Sequence, residues 1–138
     1  MQRSIDQSVS FPVSAASLYQ LYMNPHLHAA FTGGKVMISS KPGSKFSAFN
    51  GLLGGKMILA VPGKLIVQYW RGTHWKKSDP DSILVLHFVK EGRGGRIDLS
   101  HVSVPKHDHA GVTKGWKKFY WKPLRKFLKN GRTHKLKM

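Results

Sequence analysis

The chain has 138 residues, 23 Lys plus Arg against 6 Asp plus Glu, and no cysteine. That length suits one domain with one core, and the missing thiols exclude disulfides, thiolate zinc sites and cysteine nucleophiles, which fits a reducing compartment such as the cytosol. With the carboxylates confined to Asp6, Asp79, Asp81, Glu91, Asp98 and Asp108, and Asp79 and Asp81 flanking Pro80 in a turn, no paired acid/base dyad is legible. The formal net charge of +17 steers acidic partners toward the surface.

Met1 to Phe11 carries early polar residues in place of a signal peptide's apolar stretch, and there is no apolar run of about 18 residues. The expectation is a cytoplasmic, non-membrane chain, with residues 1–130 as a single domain and 131–138 as a basic, frayed end.

Ile5, Gln7, Val9 and Phe11 alternate with polar residues, which predicts a half-buried strand ended by Pro12. Ser14 is placed to cap a helix through Ala15, Leu18, Tyr19, Leu21 and Tyr22 to Asn24, where Pro25 forces a break. A second short helix from Pro25 to about Phe31 stops at Gly33-Gly34. Between Lys35 and Pro105, short β-prone runs are separated by Pro42-Gly43, Asn50-Gly51, Pro62-Gly63, Ser78 to Asp81 and Glu91 to Gly95, the punctuation of about six antiparallel strands.

The last segment is predicted to be an amphipathic helix. Val112, Trp116, Phe119, Tyr120, Leu124, Phe127 and Leu128 form one apolar stripe, and Lys114, Lys117, Lys118, Lys122, Arg125, Lys126 and Lys129 occupy the rest. Burying each large side chain is worth roughly 2 kcal/mol, so this helix is expected to close the core. Pro123 is expected to kink or interrupt it near Phe119 to Lys122.

A strand, two short helices, a meander and one long helix predict an α+β fold with six or seven strands. Within that layout stand Pro62-Gly-Lys-Leu-Ile-Val-Gln-Tyr-Trp-Arg71 followed by Trp75, then Leu99-Ser-His-Val-Ser-Val-Pro105, then Gly115-Trp116 opening the helix. In this order and spacing the chain resembles the activator of heat-shock protein 90 ATPase family, of the C-terminal-domain type, from about Phe11 to Leu128. The resemblance implies a helix-grip fold (START-like, SRPBCC, birch-pollen-allergen-like), whose curved antiparallel sheet and last helix enclose an apolar groove. It also implies that some members are co-chaperones touching the chaperone's ATP-binding domain, while many bacterial members have no settled activity. The well-studied activators carry a second, N-terminal domain for which this chain has no room, so chaperone binding is expected ahead of autonomous ATPase stimulation.

Three surfaces are candidates for function. By alternation and by the resemblance, Ile66, Gln68 and Trp70, then Leu84, Leu86 and Phe88, then Ile97, Leu99 and His101 face Trp116, Tyr120 and Leu124. If these leave a void, a small hydrophobic ligand or lipid fits; if they fill it, they are a core. Val67, Tyr69, Ile83 and Val85 alternate with the inward set and make an outer apolar patch bordered by Arg71, Lys76 and Lys77, unless a β-bulge rearranges the faces or the residues stand singly. On the last helix, Lys117, Lys118, Lys122 and Arg125 have no acidic neighbour after Asp108, which favours an anionic partner, and Trp121 lies among them away from the stripe, a candidate contact for nucleic acid, lipid headgroups or a protein pocket.

His26 and His28, and His107 and His109, match no zinc-site spacing, and no metal or other cofactor is expected. His101 reads as a hydrogen-bonded core group ahead of a ligand contact. Gly92, Gly94 and Gly95 precede a strand-like run and so form no phosphate loop, and no nucleophile motif is present. Nucleic-acid binding rests on charge alone, with no recognition motif. The reading is a non-enzymatic co-chaperone-like module for heat-shock protein 90, an acidic protein, working as a monomer or weak dimer. The alternative is a carrier or sensor of a small hydrophobic ligand.

Overall fold

The structure is a computed structural model that describes residues 4–130, so the basic end expected at 131–138 lies outside the described residues. The chain order is β1 (Ile5–Phe11), α1 (Ala15–Met23), α2 (Pro25–Thr32), β2 (Lys45–Ala48), β3 (Leu53–Val61), β4 (Leu65–Gly72), β5 (Ser82–Glu91) and β6 (Gly94–Val102). One long C-terminal helical element follows, made of α3 (His109–Gly115), a π-helical segment (Trp116–Trp121) and α4 (Lys122–Lys129).

The local signals act as their chemistry dictates. The Ser14 hydroxyl accepts the Ser17 N–H at the start of α1. Asn24 ends that helix and caps the next, its side-chain oxygen accepting the His26 and Leu27 N–H groups ahead of Pro25, which has no N–H to leave unpaired. Gly33 ends α2 in the left-handed region at φ 85°.

The six strands form one antiparallel sheet in the order β1-β6-β5-β4-β3-β2. Each of β2 to β6 pairs with its chain neighbour, and β1 closes onto β6 from the far side. The register shifts between Met57 and Leu59, an irregularity of the kind that bends a strand. Inward residues alternate with outward ones along β4, β5 and β6, and the inward set is buried on the concave side: Ile66, Gln68, Trp70, Leu84, Leu86, Phe88, Ile97, Leu99 and His101, with Gln68 and Phe88 meeting Tyr22 and Tyr19 of α1 and Trp70 and His101 meeting Trp116 of the terminal helix. This is the helix-grip architecture, a curved antiparallel sheet around a C-terminal helix.

The terminal helix departs from the expected stripe in one respect. Phe119 is 49% exposed, while Trp121 is buried at 7%. The cause is the π-helical segment, where the Lys122 N–H reaches the Lys117 carbonyl five residues back. Five-residue bonding turns the chain less per residue, so Trp121 shares the face of Trp116, and the two indoles stack at 5.6 Å with 21° between planes. Pro123 follows directly, and a wide turn before it accommodates a residue that cannot continue the ordinary bonding ladder. The interruption expected near Phe119 to Lys122 is thus a change of winding.

Candidate functional site

Three hydrogen-bond chains, two buried and one partly buried, hold the terminal helix in place. The Trp116 indole N–H donates to His101 Nδ1 at 3.1 Å. This leaves Nε2 carrying the proton, which goes to the Ser82 hydroxyl at 2.8 Å, and that hydroxyl donates to the Trp70 carbonyl at 2.7 Å. On the other side, Tyr120 O–H donates to His28 Nε2 at 2.9 Å, and His28 Nδ1–H donates to the Tyr22 carbonyl at 2.8 Å. Third, the Trp121 indole N–H donates to Gln7 Oε1 at 2.7 Å, while the Gln7 amide donates to the Thr113 carbonyl at 3.0 Å. Both histidines are wholly buried and stay neutral, because burial pushes His28 down to about 4 and His101 down to about 3. Burial likewise pushes the Tyr120 phenol well above its usual range.

The space between sheet and helix is therefore mostly filled. Ile66, Leu84, Leu86, Phe88, Leu99, His101 and Leu124 are packed in the core. Of the residues expected to line a groove, only Trp70, Trp116 and Tyr120 border an opening, a cavity of about 280 Å³ at one end of the helix. Its other walls come from Phe49, Leu52 and Leu53 around the β2–β3 turn and from Val112 and Phe119, with His74 and Asp108 also in the lining. Leu52 and Phe119 are exposed there, and Phe49 meets both Phe119 and Tyr120 edge-on. Trp70 Nε1 and Gln68 Nε2 are buried with no hydrogen-bond partner among the described residues.

The loop beyond β4 is held next to this cavity by reciprocal contacts. Asp108 accepts the Trp75 indole N–H at 2.7 Å and lies 2.9 Å from His74 Nε2; in return, Asp79 lies 2.8 Å from His107 Nε2 and accepts the Lys76 N–H at 2.8 Å. The hydrogen bond to His107 is the main reason the Asp79 carboxyl sits below its ordinary value. Arg71, expected at a partner surface, spends its guanidinium on this loop, donating to Asp81 at 2.7 Å and to the Asp79 and Lys76 carbonyls. Every carboxylate is thus engaged in the fold, since Asp6, Asp98 and Glu91 are taken by Ser100, Ser8, Arg96 and Ser10.

The convex face divides into two halves. On β6 and β1 it is a closed polar lattice of Asp6, Ser8, Ser10, Arg96, Asp98 and Ser100. On β3 to β5 it is mainly apolar, with Lys56 and His87 exposed on the same face. Val67 sits opposite Val85, Tyr69 opposite Ile83 and Leu59 opposite Val67, and Val102 continues the row beside Ile83. Leu59, Tyr69 and Val102 are among the most exposed large apolar residues, at 44%, 43% and 36%. Lys56 is paired with Tyr69, and Lys76 and Lys77 are exposed on the loop that follows β4.

Residues 12–129 match the family model described as activator of Hsp90 ATPase homolog 1-like protein. The chain belongs to this family.

Among curated relatives of this activator family, the activator of 90 kDa heat shock protein ATPase homolog of Dictyostelium discoideum is 25% identical over 108 residues, covering 78% of this chain and 28% of the relative. The chain thus spans under a third of the length of the curated relatives it matches. Among solved structures, an HSP90 activator from Plasmodium falciparum superposes with a TM-score of 0.83 at 19% identity, covering 92% of this chain and 96% of the other. The Aha1 dimer from Colwellia psychrerythraea gives 0.77 at 15% identity over 92% and 96%. At those identities the structures speak to the fold alone.

Within this member of the activator family, Lys117, Lys118, Lys122 and Arg125 are exposed, as expected. Arg125 lies over the Phe11 ring at 4.9 Å, whereas Lys118 and Lys122 line a different side of the helix, toward α2. Trp121 does not join them and is corrected to a core residue by the π-helical winding. The cavity walls Phe49, Leu52 and Leu53 escaped the sequence reading because Asn50-Gly51 marked that stretch as a turn. Three large apolar residues around a turn were the available signal.

Proposed function

We propose that this chain is a non-catalytic binding module that docks on heat-shock protein 90 and modulates its ATPase, using the apolar half of the convex sheet as its contact surface. The observation that carries this reading is the in-register apolar field of Leu59, Val67, Tyr69, Ile83, Val85 and Val102 on a face that an antiparallel sheet ordinarily gives to water. Family membership supplies the class of partner. The +17 charge favours an acidic protein, with Lys56, Lys76 and Lys77 near the field and Lys117, Lys122 and Arg125 elsewhere on the surface. Charge sets the encounter rate and its salt sensitivity; the apolar contacts set residence time. The cysteine-free composition suits a cytosolic setting, and the module acts as a monomer or weak dimer.

The test is capture of purified heat-shock protein 90 by the immobilised chain, together with the chaperone's ATPase rate. The expected result is capture at low salt, weakened at high salt, with a changed ATPase rate. No capture at low salt and an unchanged rate would reject the reading.

One observation favours a second reading. The cavity of about 280 Å³ walled by Phe49, Trp70, Trp116 and Tyr120 is close to the size range of small-ligand sites. Native mass spectrometry of protein purified from cells is expected to show a bound small hydrophobic molecule; a single ligand-free mass would remove this reading.

A further inference from the structure

We infer that the cleft between α2 and the terminal helix is a second docking site, built for an acidic amphipathic helix of a partner protein. This inference goes beyond the sheet surface and stands whether or not the chaperone is the partner.

The cleft is an open depression of about 530 Å³. Its apolar lining is Phe31 from α2 with Pro123 and Phe127 from the terminal helix, and its cationic side is Lys118, Lys122 and Lys126. Phe31 and Phe127 are in ring contact at 6.4 Å, so the two helices meet beneath this lining. Lys122 and Lys126 stand four residues apart in α4, on one side of the helix and about 6 Å apart, and Lys118 precedes them from the π-helical segment.

Among the described residues nothing neutralises this row. All 6 carboxylates lie at or before Asp108 in the sequence, and each is bonded elsewhere, to Ser100, Ser8, Ser10, Arg96, Arg71, His107, His74 or Trp75. The sequence after Asn130 adds three further cationic residues, Arg132, Lys135 and Lys137.

These features select one occupant. A helix presents carboxylates at i and i+4 with the same step of about 6 Å as Lys122 and Lys126, and residues one position earlier in each turn can enter the Phe31–Phe127 lining beside them. A free phosphate would use one or two lysines and leave the apolar strip idle. Nucleic acid would use the charge and ignore the spacing.

The experiment is fluorescence anisotropy with a labelled synthetic peptide carrying Glu at i, i+4 and i+8 and Leu along the adjoining stripe. Four proteins are compared: the unaltered chain, Lys122→Glu/Lys126→Glu, the equal-charge control Lys41→Glu/Lys45→Glu, whose residues do not line the cleft, and Ala30→Trp, which fills the cleft without changing charge. Circular dichroism confirms that each is folded. The expected result is binding by the unaltered chain and the control, with a loss of roughly tenfold or more in the other two. Equal losses in the two charge-reversal proteins, with none in Ala30→Trp, would overturn the site and leave only long-range attraction. Tighter binding to phosphatidylserine vesicles than to the peptide, lost in the same variants, would overturn the helical occupant in favour of a membrane surface.

Discussion

The two faces of β4 and β5 are equally apolar in sequence and opposite in circumstance. On the concave side Ile66, Trp70, Leu84 and Leu86 are sealed in the core; on the convex side Val67, Tyr69, Ile83 and Val85 have no covering element among the described residues. The neighbouring convex surface on β6 and β1 shows what this sheet looks like where it meets water, since it is a lattice of serines, carboxylates and one arginine. An apolar field beside a polar one on the same surface points to a use for the apolar half that solvation does not explain.

The largest effect is expected on the concave side. Trp116→Ala removes an indole packed against Trp70, Tyr120 and Trp121 and is predicted to cost roughly 3 to 5 kcal/mol by urea denaturation. A cost below about 0.5 kcal/mol would mean that the helix does not seal this face.

Acid is expected to act on the same side. His28 and His101 are held neutral down to about 4 and about 3, against 6.5 for an ordinary imidazole. Between these values the unfolded chain binds protons that the folded chain refuses, so stability rises with pH. It is whole above pH 6.5, falls as pH drops toward 4, and for His101 continues falling toward 3. His28 alone accounts for about 3 kcal/mol across its window. Denaturation midpoints between pH 7 and 4 measure this, and His101→Gln is expected to flatten the slope. A slope unaffected by that change would break the assignment of the Trp116–His101–Ser82 chain.

A smaller loss is predicted at the edge of the core. Gln7→Leu leaves the Trp121 indole N–H and the Thr113 carbonyl without their present partner, which costs roughly 1 to 3 kcal/mol in the same denaturation assay. A neutral result would place Trp121 back at the surface.

Much of this architecture is legible from the residues. Alternation along Ile66 to Trp70 and Leu84 to Phe88 identifies the inward face, and Ser14, Pro25 and Gly33 mark the helix ends by local chemistry. Two features escape for physical reasons. The exchange of Phe119 for Trp121 follows from π-helical winding, which no pattern spaced at three and four residues reveals. The cavity and the His–Asp contacts join Phe49, His74, Asp79, His107 and Asp108, residues far apart in sequence whose meeting depends on how the sheet curves. The convex field shows the opposite case, since Val67, Tyr69, Ile83 and Val85 were visible from period two alone.

The smallest effect on stability belongs to that convex field, and it carries the central claim. Tyr69→Asp replaces a side chain that is 43% exposed and is predicted to change folding stability by within about 0.5 kcal/mol. The direct measurement is calorimetric titration of purified heat-shock protein 90 into the unaltered chain and into Tyr69→Asp at low salt, with denaturation midpoints taken in parallel. Measurable binding by the first, lost in the second at an unchanged midpoint, is the predicted result; equal binding by both would contradict the assignment of the convex face as the partner surface.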